Sequence, residues 1–427
     1  MTGPRFSSLD AWLAWQETLH PLSIELGLAR VGRVLARTGW QRPAHPVITV
    51  GGTNGKGSCV ALLSAILRAA GRRVATFTSP HLVDYRERIR LDGRPVSAAS
   101  LVAAFERIAD ALGDDSLTFF EFNTLAALLV SETYAPDALV LEVGMGGRLD
   151  AVNLVDADVA VVTSVSLDHT EWLGADVETI GREKAGIFRA GRPAICGMPA
   201  PPHSVIEEAQ RIGALRVQRG RDFDASVEPA GTWAYAGRHW QWSGLPRPNL
   251  PGAVQIGNAA TVLAALEPLA ERLGVTRPAA EQGLRTVTLA GRFERRADPR
   301  GFEWVLDVAH NPDSARVLAE SLHEYPVAGR TFAVCGMLAD KDVASALTHL
   351  RGAFDAWYAA TTEGPRGLTA AQLAERAAAL GIAMTPGGSI AGAMQAAAAQ
   401  ARGGDRIVVF GSFHTVGPAL SALGDPL

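Results

Sequence analysis

Lysine is scarce in this chain and is therefore informative. Of the 40 basic residues among 427, only three are lysines: Lys56, Lys184 and Lys341. Arginine serves wherever a positive charge is enough, whereas only lysine offers a primary amine that can lose its proton or react. Chance survival of three lysines is the alternative interpretation, and their positions along the chain decide between the two.

The first lysine lies in a glycine-rich turn typical of phosphate binding. The turn Gly-Thr-Asn-Gly-Lys-Gly-Ser runs from Gly52 to Ser58, between an apolar run and a helical apolar pattern. Glycines let backbone N–H groups converge on phosphate oxygens, and a helix start adds partial positive charge. Gly57 separates Lys56 from Ser58, which departs from the most common phosphate-loop pattern. The turn still predicts a triphosphate site with Lys56 at its β and γ phosphates; the alternative is a tight turn with a solvated lysine.

Candidate ligands for a divalent cation lie at or just after the ends of three predicted strands. Ser79 follows RVATFT, Glu142 lies inside the apolar run LVLEVG, and Asp168 and His169 follow DVAVVTSV. A carboxylate in an apolar strand is costly to bury unless it meets a cation or a hydrogen-bond donor. Magnesium bound with a nucleotide takes one or two carboxylates, a hydroxyl and phosphate oxygens. The pattern predicts Ser79 and Glu142 as magnesium ligands, and Asp168 beside His169 favours a functional role over a structural one for that histidine.

The second lysine, Lys184, lies in VETIGREKAGIF, which is predicted to be helical. A surface lysine in an i,i+4 ion pair is the alternative, and the sequence does not reject it. Arginine would have served equally well in such a pair.

Polar residues also follow strands in the last third of the chain. Asp307 ends an apolar strand, and Asn311 followed by proline predicts a helix start that places His310 beside it. Ser412 follows the strand IVVF in the same way. Arg292 lies in the predicted linker Thr288 to Arg296, whose glycine beside a charged residue suggests a hinge.

The elements that position these residues alternate between apolar strands and amphipathic helices. Such alternation predicts an α/β protein with largely parallel sheets. We predict a P-loop-type parallel-sheet ATPase domain over residues 1–290 and a smaller Rossmann-like α/β domain over residues 291–427. The stretch from about Ala190 to Pro251 is rich in glycine, proline and tryptophan and predicts small antiparallel strands near a domain edge.

Composition excludes several classes of protein. Apolar residues make up 48% and charged residues 20%, so the chain can bury globular cores and is not disordered, collagen-like or a coiled coil. The net charge of −4 argues against a general polyanion binder. No apolar run approaches the roughly 18 residues of a membrane span, and the first thirty residues lack the pattern of a signal peptide. Three widely separated cysteines predict buried thiols in a reducing cytoplasm.

The motifs together resemble a known family. GTNGKGS, SPHL, LEVGMGGRLDA, DHT, GREKAGIF, GRFE, DVAHNP, GMLADKD and GSFHT occur in the order found in bacterial folylpolyglutamate synthases. The resemblance is closest to the bifunctional dihydrofolate synthase/folylpolyglutamate synthase type, within the Mur-ligase-like ATP-dependent amide ligases. It spans most of the chain, and the weak region is about Ala200 to Pro248.

The resemblance implies roles for individual residues. The ATP-binding set would be Thr53, Asn54, Gly55, Lys56, Gly57, Ser58, Asn258, Arg292 and Asp307. One Mg²⁺ would be held by Ser79 and Glu142 and a second by His169, with Lys184 carbamylated in support of the metal site. The pterin site would be formed by Leu26, Gly27, Leu28, Thr118, Phe119, Phe120, Glu121, Leu149, Asp150 and Ala151. His310 and Ser412 would meet the incoming glutamate, and the catalytic set would be Lys56, Lys184, His169 and His310. Glu25 stands where the family usually has aspartate, which predicts a small change in loop geometry at most.

The resemblance also implies the reaction. ATP would phosphorylate a carboxylate, and the amine of L-glutamate would then displace phosphate. The acceptors would be 7,8-dihydropteroate, giving dihydrofolate, and the γ-carboxylate of folates, giving polyglutamates. We expect a cytoplasmic monomer whose partners are these small molecules, and neither nucleic acid nor membrane.

Three alternatives stay open at this point. A cell-wall Mur ligase usually carries a domain of about 100 residues before the phosphate loop, whereas only about 50 residues precede it here. A folylpolyglutamate synthase without the dihydrofolate synthase activity is the second, although the segment Thr118 to Phe122 favours the dual enzyme. A nucleotide-dependent switch or regulatory binding protein is the third, and glutamate-dependent release of ADP would separate it from a ligase.

Overall fold

The computed structural model describes residues 5–229 and 231–424 and contains both strands and helices along most of its length. The strands are β1 Val47–Gly51, β2 Val74–Phe77, β3 Ile89–Leu91, β4 Arg94–Pro95, β5 Ala138–Glu142, β6 Val159–Val162, β7 Pro193–Cys196, β8 Leu215–Gln218, β9 Asp224–Val227, β10 Trp233–Ala236, β11 Gln241–Leu245, β12 Glu294–Ala297, β13 Glu303–Asp307, β14 Thr331–Cys335, β15 Ala356–Thr361, β16 Met384–Ser389 and β17 Arg406–Phe410. The α-helices are α1 Leu9–Thr18, α2 Ala29–Arg37, α3 Lys56–Ala69, α4 Ala98–Ala111, α5 Phe119–Tyr134, α6 Thr170–Leu173, α7 Val177–Ala185, α8 His203–Ile212, α9 Val254–Leu266, α10 Ala270–Leu273, α11 Arg277–Thr286, α12 Pro312–Glu324, α13 Val343–Leu350, α14 Ala370–Ala378, α15 Ile390–Gln400 and α16 Phe413–Ala422. Short 3₁₀ helices span Tyr85–Arg88, Ala151–Leu154 and Glu267–Leu269.

The chain forms two compact units. Unit 1 comprises Met1–Ser79, Arg86–Pro248 and Ile256–Val287. Unit 2 comprises Thr288–Leu427 together with the short segments Pro80–Tyr85 and Asn249–Gln255, which precede the predicted boundary after residue 290. The predicted α/β class, with a parallel-sheet first part and a smaller sheet-containing second part, is confirmed.

The main sheet of unit 1 has the strand order β4-β3-β2-β5-β1-β6-β7-β8. Strands β2, β5, β1, β6, β7 and β8 are parallel, and β3 and β4 form an antiparallel edge. The central strands β1, β2, β5 and β6 are buried along their whole length, as near-continuous apolar strands covered on both faces must be. Because they are parallel, their carboxyl ends meet at one edge, where the predicted site motifs begin.

The prediction for the stretch from about Ala190 to Pro251 was wrong in its first part. Strand β7, helix α8 and strand β8 continue the parallel sheet instead of forming small antiparallel strands. The short run Pro193–Cys196 is flanked by glycines and prolines, which hid a buried four-residue strand. The second part is confirmed, because β9, β10 and β11 form a separate antiparallel sheet.

The sheet of unit 2 has the strand order β12-β13-β17-β14-β15-β16. Strands β13 to β17 are parallel, while β12 runs antiparallel to β13. The predicted linker Thr288 to Arg296 is therefore partly wrong, since its end belongs to β12. Edge strand β16 was not predicted because Pro386 and two glycines disguise it, and an edge is where a strand tolerates proline. Two buried apolar clusters fill this unit, one of them containing Leu347 and the other Leu420.

Two further features follow from the described residues. None of the helices in that part of the chain is both long and apolar enough to cross a membrane. The three cysteines are buried and unpaired, as predicted.

Candidate active site

The phosphate loop joins β1 to α3 and has the backbone shape that anion binding requires. Gly55 takes a positive φ of 88° and is the N-cap of α3, so the first N–H groups of that helix point into the loop. A Cβ on Gly55 would lie 2.9 Å from Oδ1 of Asn258, which shows how closely α9 approaches. The Lys56 ammonium donates to the carbonyl oxygens of Gly52 and Thr53, at 3.0 and 3.1 Å. Lys56 therefore donates to its own loop, and it would exchange these carbonyl oxygens for phosphate oxygens when a nucleotide binds.

Residues after β6 hold the loop in place. The backbone N–H of Thr53 donates to the Ser164 carbonyl at 2.8 Å, and that of Asn54 to the Ser164 hydroxyl at 2.9 Å. The Thr163 hydroxyl donates to the Asn54 carbonyl at 2.7 Å. The sequence interpretation missed Thr163 and Ser164, although a polar Thr-Ser pair directly after an apolar strand was a usable signal. Ser58 is buried in the first turn of α3 beyond the loop.

The predicted magnesium ligands Ser79 and Glu142 lie together. Ser79 lies two residues after β2, Glu142 ends the neighbouring strand β5, and the Ser79 N–H donates to Oε2 of Glu142 at 3.3 Å. Glu142 is only 5% exposed. Within residues 5–229 and 231–424, no group of three His, Cys, Asp or Glu side chains forms a metal cluster. A hydroxyl and a carboxylate fit a Mg²⁺ that takes its remaining ligands from phosphates and water.

Asp168 and His169 lie in the loop between β6 and α6. His169 adopts a left-handed conformation with φ 51° and precedes the short helix α6. A carboxylate oxygen of Asp168 accepts the His169 backbone N–H at 2.9 Å and lies 4.0 Å from Nε2 of its ring. Histidine tolerates this conformation better than branched residues, but it is uncommon enough to mark a constrained side chain.

Lys184 is buried in α7 with 4% exposure, so the surface ion-pair interpretation is wrong. Burial lowers the pKa of Lys184 to about 7, and the positive charge of Lys56 acts in the same direction. Asp168 and Asp150 oppose that shift. Lys184, Lys56, Asp168 and Asp150 therefore share one electrostatic environment, and the Lys184 amine loses its proton near neutral pH.

Asp150 caps the 3₁₀ helix that begins at Ala151 and is 3% exposed. Burial raises its pKa to about 6, while N–H groups of Met145 and Val152, at 2.9 and 3.0 Å, act in the opposite direction. Leu149 and Ala151 flank it in the chain; Leu149 is half-buried and Ala151 is buried.

The other predicted pterin residues come from two segments of unit 1. Leu26, Gly27 and Leu28 lie just before α2 and are half-buried, and Gly27 faces open space. Thr118 is the N-cap of α5 and forms a capping box with Glu121. Phe119 lies under the Arg88 guanidinium, 5.4 Å from ring centroid to carbon, and Phe120 packs beside Phe77.

Four predicted residues belong to unit 2. Asp307 ends β13, accepts N–H groups of Phe293 and Ala309, both at 2.8 Å, and has a pKa raised by burial. Arg292 lies over the Phe413 ring at 5.2 Å. His310 precedes α12 with its Nδ1 2.8 Å from the Val308 carbonyl. Ser412 is the N-cap of α16, and its hydroxyl lies 2.9 Å from that of Thr415.

Two family models match the chain. The Mur ligase middle domain matches residues 50–200, and the Mur ligase glutamate ligase domain matches residues 291–413. Together they cover more than half of the sequence. The fold and the site thus define a Mur ligase, the class of ATP-dependent ligases that form amide bonds.

Comparison with individual relatives shows to which family among the Mur ligases the chain belongs. The dihydrofolate synthase/folylpolyglutamate synthase of Escherichia coli (strain K12) is 47% identical over 418 residues, covering 98% of this chain and 96% of the relative. The solved structure of E. coli FolC in complex with DHPP and ADP has a TM-score of 0.92 at 46% identity and covers 99% of each chain. A bifunctional folylpolyglutamate synthase/dihydrofolate synthase solved with Mn, AMPPNP and L-glutamate has a TM-score of 0.90 at 43% identity, covering 99% of this chain and 100% of the other. The chain belongs to the dihydrofolate synthase/folylpolyglutamate synthase family, which confirms the resemblance seen in its motifs.

Proposed function

We propose that this protein couples L-glutamate both to 7,8-dihydropteroate and to the γ-carboxylate of folates, through an acyl phosphate. The proposal is carried by the electrostatic environment that Lys56, Lys184 and two carboxylates share and by the Ser79–Glu142 pair, all within unit 1. Such a site handles a triphosphate and a divalent cation together. Two related structures support the substrates, because one holds DHPP with ADP and the other holds AMPPNP with L-glutamate.

The phosphate loop would bind ATP by backbone donors and by one mobile charge. N–H groups at the start of α3 meet the phosphates, and Lys56 exchanges the carbonyls of Gly52 and Thr53 for phosphate oxygens. That exchange brings its charge to the group in transfer, where charge stabilisation supplies most of the catalysis. Asn258, beside Gly55, extends the nucleotide site. A nucleotide-binding role for Arg292 and Asp307 stays a prediction from the resemblance.

Mg²⁺ would be held by Ser79 and Glu142, with His169 at a second ion, and it would offset negative charge on the transferring phosphoryl group. The residues fit this role because Glu142 is buried and hydrogen-bonded to the backbone of Ser79. His169 lies in a constrained turn with Asp168 against its backbone, which fixes where its ring can reach.

Lys184 would carry a carbamate formed with dissolved CO₂. Only a neutral amine attacks CO₂, and burial lowers the pKa of Lys184 to about 7, so a large fraction is neutral at physiological pH. The nitrogen–carbon bond forms as the amine loses a proton, leaving a negative carboxylate-like group near Lys56. Arginine has no equivalent reaction, which gives a reason for lysine at this position in a lysine-poor chain.

In unit 2, His310 is suited to receive a proton from the incoming glutamate ammonium. Its Nδ1 must donate to the Val308 carbonyl, because that oxygen only accepts, so Nε2 of the neutral ring carries no proton. Ser412 would contact a glutamate carboxylate at the start of α16. The two residues together would bind the amine and the acid groups of one amino acid.

One assay tests the proposal. The purified protein, with ATP, Mg²⁺ and L-glutamate, is offered 7,8-dihydropteroate or tetrahydrofolate while phosphate release and product mass are followed. Glutamate-dependent phosphate release with both acceptors supports the dual activity. Turnover with tetrahydrofolate alone would leave a folylpolyglutamate synthase, and ATP hydrolysis without either amide product would reject the ligase function for these substrates.

The proposal extends to the setting of the reaction. We place the enzyme in the cytoplasm as a monomer, and the three unpaired buried thiols support a reducing compartment. Sedimentation at assay concentration tests the oligomeric state.

A further inference from the structure

The segment of residues 19–28, called here the connecting segment, joins α1 to α2 and contains no helix or strand. It ends in Leu26, Gly27 and Leu28, which are predicted to line the pterin site. No helical or sheet hydrogen bonds fix the shape of this segment, and side-chain hydrogen bonds hold it instead. The side chains that provide those contacts form one continuous chain of hydrogen bonds.

This series of hydrogen bonds runs from His20 through Glu25 and Arg30 to Glu121 in the first turn of α5. The His20 ring contacts the Ser116 hydroxyl through Nδ1 at 2.7 Å and the Glu25 carboxylate through Nε2 at 2.6 Å. The other oxygen of Glu25 lies 2.6 Å from a terminal nitrogen of Arg30. The second terminal nitrogen of Arg30 donates to both oxygens of Glu121, at 2.9 and 2.8 Å.

Glu121 is fully engaged by these donors. Its carboxylate is 4% exposed, receives Arg30 on both oxygens, and also accepts the Thr118 backbone N–H at 2.8 Å. A buried carboxylate with all these donors is a structural anchor. The resemblance predicted that Glu121 contacts the pterin, whereas these hydrogen bonds indicate that Glu121 holds other protein groups in place.

Arg30 joins the two predicted pterin-binding segments through this chain. Leu26 to Leu28 lie between Glu25 and Arg30, and Phe119 and Phe120 lie between Thr118 and Glu121. The two terminal nitrogens of a guanidinium can hold two carboxylates at a fixed spacing, which a single ammonium cannot do. Charge-assisted bonds with low exposure, 17% for the Arg30 side chain, are also the strong ones.

We propose that Arg30 is a positioning residue for the pterin substrate: its guanidinium ties the connecting segment to the first turn of α5. The two segments then keep the spacing that the pterin ring requires. The inference rests on the proposed function, and it assigns Glu121 to the same positioning role instead of a direct contact.

The test compares Arg30→Lys with Arg33→Lys on the same helix. Arg33 has a side chain that is 56% exposed, and it pairs with Asp115, which lies outside both predicted segments. Arg30→Lys is expected to raise KM for 7,8-dihydropteroate about tenfold while kcat and KM for ATP stay within about threefold of the parent. Arg33→Lys is expected to leave all three constants unchanged.

A second variant protects the test against misfolding. Glu25 is 43% exposed, so Glu25→Ala removes the same link without burying an unpaired charge. It should also raise KM for dihydropteroate, and the double variant should resemble Arg30→Lys alone, because both substitutions break one link. Melting temperatures of all variants are measured alongside.

The possible results distinguish failure of this inference from failure of the proposed function. If both Arg30→Lys and Glu25→Ala keep KM for dihydropteroate within about twofold of the parent, the inference is overturned. Equal losses for ATP and dihydropteroate, tracking a lower melting temperature, would also overturn it by showing a general structural role. A parent protein that makes no product from dihydropteroate overturns the proposed function, and this inference with it.

Discussion

At the scale of single residues, the unusual feature is a buried amine beside carboxylates and a second lysine. Lys184 has 4% exposure and a pKa of about 7 because burial disfavours its charge. The rarity of lysine drew attention to this residue in the sequence, but the sequence could not distinguish a buried lysine from a surface one. Burial depends on how α7 packs, and no local pattern contains that information.

Replacing Lys184 by arginine tests whether this position needs an amine that can react. Lys184→Arg cannot form a carbamate and leaves a permanent positive charge where the proposal needs an anion, so we expect it to lose at least about a hundredfold in kcat, the usual scale for removing a group that supports transition-state charge. Circular dichroism and initial rates measure this. Arg182→Lys, an exposed position on the same helix, is the control and should keep full activity.

Lys184→Ala extends the same test. Short carboxylates such as acetate should restore part of its activity if the missing group is an anion. A fully active Lys184→Arg variant, or no recovery with any carboxylate, would contradict the carbamate.

Carbamate formation should depend on pH with a definite sign. The neutral amine is the reactive form, and with a pKa of about 7 its fraction rises as pH increases through that value. Preincubation at pH 6 with fixed dissolved CO₂ should yield about tenfold slower activation than at pH 8, since one pH unit below the pKa leaves about a tenth of the amine neutral.

All samples in that experiment are assayed at pH 8, so that only the preincubation varies. Activation that is independent of preincubation pH, or faster at pH 6, would show that Lys184 does not titrate in this way.

At the scale of elements, the strand–loop–helix unit β1–α3 shapes the proposed nucleotide site through a left-handed glycine, Gly55, at the start of the helix. The sequence predicted this unit well, because an apolar run, a glycine-rich turn and a helical pattern are all local signals. It predicted less well where signals conflict. The prolines and glycines around β7 and within β16 masked strands that tertiary pairing stabilises.

Gly55→Ala should impair nucleotide binding beyond its effect on stability. The new methyl group would lie 2.9 Å from the Asn258 side chain and occupy a positive φ. We expect at least about a tenfold weaker affinity for an ATP analogue, since a misplaced loop loses several charge-assisted hydrogen bonds. Isothermal titration measures it.

Gly71→Ala is the matched control at the opposite end of α3. Gly71 also has a positive φ, of 75°, but a methyl group added there would meet no atom within 4 Å. It should cost about 1 kcal/mol of unfolding free energy and leave affinity unchanged. Equal affinity in both alanine variants would argue against the proposed role of the loop.

At the scale of the whole molecule, the chain contains two compact units, each with its own sheet. Motif order in the sequence predicted the family and the fold class, because the main motifs follow strands at a sheet edge. Contacts between residues far apart in the sequence could not be predicted. Arg30 and Glu121 are 91 positions apart, and only the folded packing of α2 against its neighbours brings them together.

Nucleotide binding should stabilise the protein by mass action. A ligand that binds only the native state at one hundred times its Kd adds about 2.7 kcal/mol to the unfolding free energy. We therefore expect an ATP analogue with Mg²⁺ to raise the melting temperature in proportion to the logarithm of its concentration. Gly55→Ala should remove most of this rise, and a parent melting temperature that ignores the analogue would contradict the nucleotide site.

The burial of Lys184 in a chain with so few lysines also makes its chemistry directly visible. Protein grown with lysine that is isotope-labelled only at the side-chain nitrogen would give at most three signals in a magnetic resonance spectrum. The signal shielded from exchange with water belongs to the interior amine, and its chemical shift would report proton loss or adduct formation without any substitution. The state of the Lys184 amine could thus be followed in the unaltered protein, because only two other lysines would contribute signals.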